Sequence, residues 1–381
     1  MTDRNRIYFR LLVFPFVLAL LMPCFFKTFF STYTFGSVYY YLIAFLMSFG
    51  LVPLFYKLGV IMNITDIPGG RHHHGIPTPR TGGLAIFITF IASLNIYTNP
   101  PPEFTGLFWA IIIIAGFGIL DDINGLPAWV KLIGQIMATA VLIYHGIFIS
   151  FIPDHEFWNI FSIILTFLWV IGITNAVNFL DGLDGLASGL AITVSLFYAA
   201  ISWSIGNRFV FIVSVFFMGA VSGFFVYNFR IGRRALIFLG DTGSTIIGFT
   251  LAAIAIYGDW GIHKSVDLAI PILLLAVPIT DMLLTNIMRI STGKVHSFKE
   301  LLEYAGNDHL HHRLKALGLK PKSVVIILCV FTMIMGLLSL LLKYGDYFES
   351  FIALGIGILI FSVVVSLMVF QERKNGNYKK K

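Results

Sequence analysis

Charge is scarce in this sequence. Asp, Glu, Lys and Arg together make up 12% of its 381 residues, where a soluble domain carries about a quarter. Such a deficit excludes an ordinary soluble enzyme, and no nucleic-acid partner is expected. Cysteine is nearly absent too. Cys24 and Cys329 both lie inside apolar runs, which excludes a disulfide framework and a cysteine-based metal site. The chain also lacks any low-complexity linker or soluble-length insertion, so a single domain is expected over residues 1–381.

What fills the chain instead is apolar. Hydrophobic residues make up 57% of it, with a mean hydropathy of +0.87. The runs predict spans at 8–26, 38–59, 83–98, 105–120, 131–150, 158–178, 186–204, 209–228, 243–258, 267–288, 323–343 and 350–370. Runs of about 17 or more residues suit crossing a hydrocarbon core; those at 83–98 and 105–120 are short. The fold class expected is therefore all-α, a polytopic membrane helix bundle of about 11–12 transmembrane helices. The first run follows MTDRNR but lacks a small-x-small cleavage site, so it reads as a retained helix rather than a signal peptide.

Twelve spans put both termini on one side. Of the 26 basic residues, only Lys27, Arg208, Lys264 and Lys343 fall on the opposite face, leaving 22 on the side of the termini. Cytoplasmic loops retain positive charge, so both termini and the basic face are expected in the cytoplasm. The same face collects DIPGGRHHHGIPTPRTGG (66–83), the pair Asp121 and Asp122, NFLDGLDG (178–185), LGDTGS (239–244) and NDHLHHRL (307–314). Opposite loops are short and show no such clustering.

Asp121, Asp122, Asp181, Asp184, Asp241 and Asp281 each lie near the end of an apolar helix. One such acid reads equally well as a solvated cap. Six on one face point to a site, and closely placed carboxylates repel unless a cation holds them. Oxygen ligands alone suit Mg²⁺, which keeps waters and substrate phosphates in its shell. A cation- or proton-coupled transporter is the rival from another class, but it predicts acids spread through the membrane depth and on both faces.

In NAVNFLDGLDGLA (175–187), Asn175, Asn178, Asp181 and Asp184 recur every third residue. Four such steps drift half-way round a helix, so they cannot share one stripe. Gly182 and Gly185 loosen the helix there, which lets Asn178 and Asp181 face one ligand and Asp184 another. LGDTGS reads as a phosphate-binding turn opening a helix, where amides favour anions. His309, His311 and His312 allow a zinc reading, but with no Cys nearby, phosphate and sugar contact by His and Arg is preferred. Lys131 enters its helix from the basic face, as an anchor or as a phosphate ligand.

The chain's motifs, in order, are D-x-P-x-x-R-x-x-H with P-x-P-R-x-G-G (66–83), the Asp pair, N-x-x-N-x-x-D-G-x-D-G-L-A, F-x-G-D-T-G-S and H-L-H-H-R-L. Over about residues 38–343 this series resembles the polyprenyl-phosphate N-acetylhexosamine-1-phosphate transferases, a family that includes phospho-N-acetylmuramoyl-pentapeptide transferase. The H-L-H-H form is similar to the N-acetylglucosamine branch. The helix at 8–26 precedes the stretch that the resemblance covers. His72 stands where the family often has Lys, and Gly306 where it commonly has Asp.

The resemblance implies Asp241 as a Mg²⁺ ligand (Mn²⁺ as an alternative), assisted by Asn178. It also implies Asp121, Asp122 and Asp181 beside the metal and acceptor phosphate, and Lys131 on the diphosphate. Phe238 and Asp184 would contact uracil. His309, His311, His312 and Arg313 would contact sugar and diphosphate, with Arg71, His74 and Arg80 as further substrate contacts. The implied reaction joins a UDP-N-acetylhexosamine to undecaprenyl phosphate and releases UMP at a bacterial plasma membrane, starting a lipid-linked envelope glycan. Pentapeptide transfer in peptidoglycan synthesis is the alternative, and a homodimer is left open.

Overall fold

The computed structural model describes residues 33–66, 77–96, 100–149, 156–261, 269–297 and 308–344, with isolated positions between and after them. The expected helix at 8–26 lies outside the described residues, and the run at 350–370 is described only in part.

Helices dominate: α1 (Tyr33–Ile61), α2 (Gly82–Leu94), α3 (Glu103–Asn124), α4 (Ala128–Tyr144), α5 (Glu156–Leu180), α6 (Leu186–Ile205), α7 (Arg208–Asn228), α8 (Gly240–Tyr257), α9 (Ala269–Leu274), α10 (Ala276–Ser291), α11 (Leu310–Ala316) and α12 (Pro321–Tyr344). Two short antiparallel strands, β1 (Thr65–Asp66) and β2 (Thr78–Pro79), form the one sheet among the described residues. Six of the helices are long and apolar enough to cross a membrane: α1, α3, α5, α6, α7 and α12. The chain is an all-α polytopic membrane bundle.

Burial identifies its centre. In α6 and α7, 78% and 83% of the apolar window is buried, against 39% in the other four long helices. α1 packs along α7, α7 along α6, and α8 lies between α3 and α5. Gly219 and Gly223 let α1 settle on α7, because a Cβ on either would fall 2.5 Å from the Tyr41 or Phe45 carbonyl oxygen. Small residues four apart are the usual device for close helix approach in lipid.

Two expected spans take a different form. The run at 83–98 makes a helix of only 13 residues, α2, about 20 Å long against a core of about 30 Å. The run at 267–288 is broken at Leu275 into α9 and α10. Pro278 has no N–H to offer the carbonyl of Leu274, and its ring crowds the preceding turn. The break leaves α10 as a separate helix with Thr280, Asp281, Thr285 and Arg289 among its buried residues, which matters for the site.

Candidate active site

The turn at 181–185 lies between two helices. α5 ends at Leu180 and α6 begins at Leu186, so the Asn/Asp series is divided as its glycines predict. Asn175 points into the bundle and exchanges hydrogen bonds with Gln135 of α4, its Nδ2 donating to Gln135 Oε1 at 2.9 Å. Asn178, one turn later, donates from Nδ2 to Asp241 Oδ1 and to Ser244 Oγ, both at 2.7 Å. Asp184 turns elsewhere: its Oδ2 accepts the Ala235 N–H at 3.0 Å.

Asp121 and Asp122 are neighbours in sequence with separate tasks. Asp122 accepts from the Asp241 N–H at 2.8 Å, the Thr242 N–H at 3.0 Å and the Thr242 hydroxyl at 2.5 Å. The anion held by the LGDTGS amides is thus the protein's own Asp122 carboxylate, which corrects the reading of that turn as an open phosphate cradle. It caps α8 from another helix, satisfying amides that have no intrahelical acceptor. Gly240 makes the approach feasible. It has φ +72°, and a Cβ there would fall 2.2 Å from the Arg80 carbonyl oxygen and 2.7 Å from Asp122 Oδ2.

Asp121 faces Lys131 instead. Its Oδ1 accepts the Leu126 N–H at 2.6 Å, which pins the α3–α4 turn, and its Oδ2 pairs with Lys131 Nζ. The same ammonium lies 3.5 Å from Asp241 Oδ2. Lys131 therefore bridges two carboxylates brought from α3 and α8, 120 residues apart in the chain. Asp181 completes the cluster. Loss of solvent holds its carboxyl well above the usual range, and the charges of Asp241, Asp184 and Asp122 push it further up. Burial pushes Asp241 up as well, but its hydrogen bond with Asp121, the Lys131 charge and the Asn178 amide outweigh that and hold it low.

This donor set is hard oxygen, from carboxylates with an amide beside them and no thiolate or imidazole. One or two carboxylates with substrate phosphates is how Mg²⁺ is usually held. Among the described residues no three His, Cys, Asp or Glu side chains close into a metal cage. An ion held by this set would have to draw its remaining ligands from water and substrate.

The histidine loop docks beside this cluster. Leu310 is buried in a small apolar core with Leu180, Leu186, Val277 and Val324, so the leucine of H-L-H-H is its anchor. His309 is held at both ring nitrogens, with Nδ1 2.9 Å from Asp281 Oδ2 and Nε2 3.3 Å from Arg289 Nη2. Arg289 has only N–H donors to offer, so the pairing assigns the proton to Nδ1 and the lone pair to Nε2. Arg289 also forks onto Asp308 at 3.0 and 2.6 Å, and Arg313 Nε donates to the Asp308 carbonyl at 2.6 Å. His311 is buried with neither ring nitrogen hydrogen-bonded, and its ring lies 4.2 Å from that of His312.

Phe238 and Arg80 belong to a third strand of contacts. The Phe238 N–H donates to the Pro79 carbonyl at 2.8 Å, and the Gly82 N–H to the Phe238 carbonyl at 3.0 Å. Arg80 pairs with Asp66 across β1 and β2. Arg71 and His74 lie outside the described residues. The structure thus gathers Asp121, Asp122, Lys131, Asn178, Asp181 and Asp241, sets His309, His311, His312 and Arg313 beside them, and holds Asp184 in a neighbouring contact set. Sequence reasoning missed Arg289, Gln135 and Asn228, whose amide accepts the Gly185 N–H at 2.7 Å and donates to the Ile237 carbonyl. An amide ending an apolar helix was the available signal for Asn228.

A family model described as glycosyl transferase family 4 matches residues 104–259. The probable undecaprenyl-phosphate N-acetylglucosaminyl 1-phosphate transferase of Bacillus subtilis (strain 168) is 31% identical over 333 residues, 84% of this chain and 87% of the relative. The decaprenyl-phosphate N-acetylglucosaminephosphotransferase of Mycobacterium tuberculosis (strain CDC 1551 / Oshkosh) is 33% identical over 296 residues, 68% and 71% of the two chains. A phospho-N-acetylmuramoyl-pentapeptide-transferase of Clostridium botulinum (strain Eklund 17B / Type B) is 34% identical over 221 residues, covering 54% and 67%. The family match at 104–259 contains every residue of the Lys131 cluster, and with relatives this similar over most of its length the chain belongs to the polyprenyl-phosphate N-acetylhexosamine-1-phosphate transferase family.

Proposed function

We propose that this protein transfers N-acetylglucosamine 1-phosphate from its UDP-sugar to undecaprenyl phosphate, forming the lipid diphosphate sugar and releasing UMP. The observation that carries the reading is Lys131 set between Asp121 and Asp241 at the ends of apolar helices. A phosphate on a lipid anchor can meet a soluble diphosphate at that depth. The Bacillus subtilis relative, matched over 84% of this chain, is named for N-acetylglucosamine phosphate transfer, which favours that sugar over the pentapeptide substrate.

The acceptor phosphate has its second pKa near 6, so at neutral pH its oxygen is mostly ionised. Bringing that dianion to a diphosphate is the harder task. Lys131 draws both toward the cluster, and the neutral rings of His311 and His312 with Arg313 orient the sugar diphosphate. Asp121 is the base for residual monoanion, because its Oδ2 faces the mobile Lys131 ammonium, whereas both oxygens of Asp122 are held by the backbone amides and hydroxyl that open α8. Asp241, oriented by Asn178, would hold Mg²⁺. When bound, the ion offsets the repulsion between the phosphates and stabilises charge on the departing UMP. The basic face with its loops lies in the cytoplasm, where nucleotide sugars are made, and both termini share that side of a bacterial plasma membrane.

Purified protein with undecaprenyl phosphate and a panel of UDP-sugars tests this by UMP release. UDP-N-acetylglucosamine should be turned over, EDTA should stop the reaction, and Mg²⁺ should restore it. Asp241→Asn should abolish turnover with the fold intact. Turnover confined to the UDP-muramoyl-pentapeptide would replace this reading with its alternative.

A further inference from the structure

Gln135 is a polar side chain set in an apolar helix, and nothing in the mechanism above uses it. It lies on α4, is 3% exposed and meets Asn175 of α5 amide to amide. Gln135 Nε2 donates to Asn175 Oδ1 at 3.2 Å, and Asn175 Nδ2 returns a bond to Gln135 Oε1 at 2.9 Å. The same Asn175 nitrogen donates again to the Ile171 carbonyl of its own helix, also at 2.9 Å. Burying an amide is costly unless it is hydrogen-bonded, and here two amides satisfy each other across a helix seam. Buried hydroxyls nearby behave differently. Thr139 donates to the Gln135 carbonyl and Thr174 to that of Val170, each within its own helix, so neither bond joins α4 to α5.

Apolar packing alone fixes the position of α4 poorly. The helix has 17 residues, and its buried face is Gly134, Gln135, Ala138, Thr139 and Leu142; Trp129, Ile133, Ile136 and Met137 are exposed. In lipid, apolar contact between helices gains little over contact with acyl chains, and it is not directional. A reciprocal amide pair is directional and breaks when either helix turns or slides. Lys131 stands four residues before Gln135, and Asn178 three after Asn175. Each therefore lies about one turn, roughly 5–6 Å, from its amide on the same face of its helix. Both reach Asp241. Lys131 Nζ is 3.5 Å from Oδ2, and Asn178 Nδ2 donates to Oδ1 at 2.7 Å. Asp241 is thus gripped from two helices that the amide pair locks together.

We infer that Gln135, through its pair with Asn175, is a positioning residue: it sets the register of α4 on α5 so that Lys131 and Asn178 meet opposite oxygens of Asp241. It touches none of the reacting groups itself. The inference rests on the proposed function for what Lys131 and Asp241 do to the phosphates, while the geometry of the seam is independent of that reading. Misplacing a catalytic group by about 1 Å costs on the order of 100-fold in rate. A hydrogen bond between helices in a membrane bundle contributes little to stability. Loss of the pair should therefore appear in turnover far more than in melting.

The test uses the purified full-length chain. Gln135→Leu should lower kcat with UDP-N-acetylglucosamine by about 10- to 100-fold. KM for the sugar nucleotide should stay within about threefold, and the melting temperature within about 4 °C. Gln135→Asn, which stays polar but falls short of Asn175, should lose kcat as well, and it serves if the leucine variant melts early. Adding Asn175→Gln to it swaps the two side chains, restores the combined length and should bring kcat back to within about fivefold of the wild type. Thr139→Val, which removes a buried hydroxyl one turn along α4, should leave kcat as it was. Deuterium exchange needs no turnover: amides at 126–135 should exchange about 10-fold faster in Gln135→Leu, with α6 and α7 unchanged. Wild-type kcat in Gln135→Leu, no recovery in the swapped variant, or unchanged exchange at 126–135 would each overturn the inference. A wild type that turns over no UDP-sugar would instead overturn the proposed function, and deuterium exchange alone would then decide whether the pair holds α4.

Discussion

The His311 ring lies on Gly182. A Cβ at that glycine would stand 2.3 Å from His311 Nε2 and 2.9 Å from Cε1. The contact joins the turn at 181–185 to the histidine loop, two motifs 129 residues apart in the chain. Gly182 does not occupy left-handed backbone, so alanine there adds only a steric conflict. Gly182→Ala should cost about 1–3 kcal/mol through overpacking and impair use of the nucleotide sugar. In a His311→Ala background the same change should cost much less. Thermal unfolding of the four proteins measures the coupling, and purely additive losses would show that the contact carries no energy.

The two adjacent acids at 121 and 122 should separate cleanly by substitution. Asp122→Ala leaves two amides and the Thr242 hydroxyl without their acceptor, at a cost of about 1–3 kcal/mol. It should lower the melting temperature and loosen Asp241 along with the start of α8. Asp121→Asn keeps an acceptor for the Leu126 N–H but ends the pairing with Lys131. It should melt nearly as the wild type does while turnover falls by about 100-fold or more. Equal losses of stability in both variants would refute the division of labour.

Local signals carried much of this architecture. Gly182 and Gly185 foretold the break between α5 and α6, and the apolar runs located the long helices within a few residues. Tertiary partnerships stayed hidden. Nothing in the dipeptide Asp121-Asp122 tells a cap from an ion-pair partner, because the distinction is made by Thr242 and Lys131 arriving from other helices. Asp281 read as one more helix-end acid and Arg289 as one more basic-side residue. Their joint hold on His309 depends on the α9–α10 break, which the proline at 278 signalled and the apolar pattern overrode.

Acid should loosen the histidine loop before it affects the rest of the bundle. Burial holds His311 well below its usual 6.5, with His312, His309 and Lys315 adding to the effect. As pH falls below 6.5 the unfolded chain takes up a proton that the folded chain refuses, so stability declines, and above 6.5 it is level. Asp308 acts in another window. Burial would raise its carboxyl, but Arg289 holds it below 3.8, so that ion pair is intact above 3.8 and fails only as pH drops through the lowered value. Stability should therefore be level down to about pH 6.5 and fall below it, by up to about 1.4 kcal/mol per pH unit for His311, read as a drop in melting temperature. His311→Leu should flatten this slope, leaving a residue from His312, which burial also holds low. An unchanged slope in that variant would place the titrating group elsewhere.

Sidedness follows from the basic residues and is open to direct labelling. The two ends of α3, Glu103 and Asn124, lie on opposite faces if that helix crosses the bilayer. Asn124 stands beside the Lys131 cluster, on the face that holds 22 of the 26 basic residues. With Cys24 and Cys329 replaced by serine, a single cysteine at 124 should react with an impermeant maleimide only when the cytoplasmic face is opened. A cysteine at 103 should react in intact cells. Membrane insertion depends on lysine and arginine near the spans rather than on net charge, so the pattern should survive neutralisation of the acidic cluster. The reverse pattern would place the Lys131 cluster outside the cell, away from nucleotide sugars, and the transfer reaction proposed for it would fall with the topology.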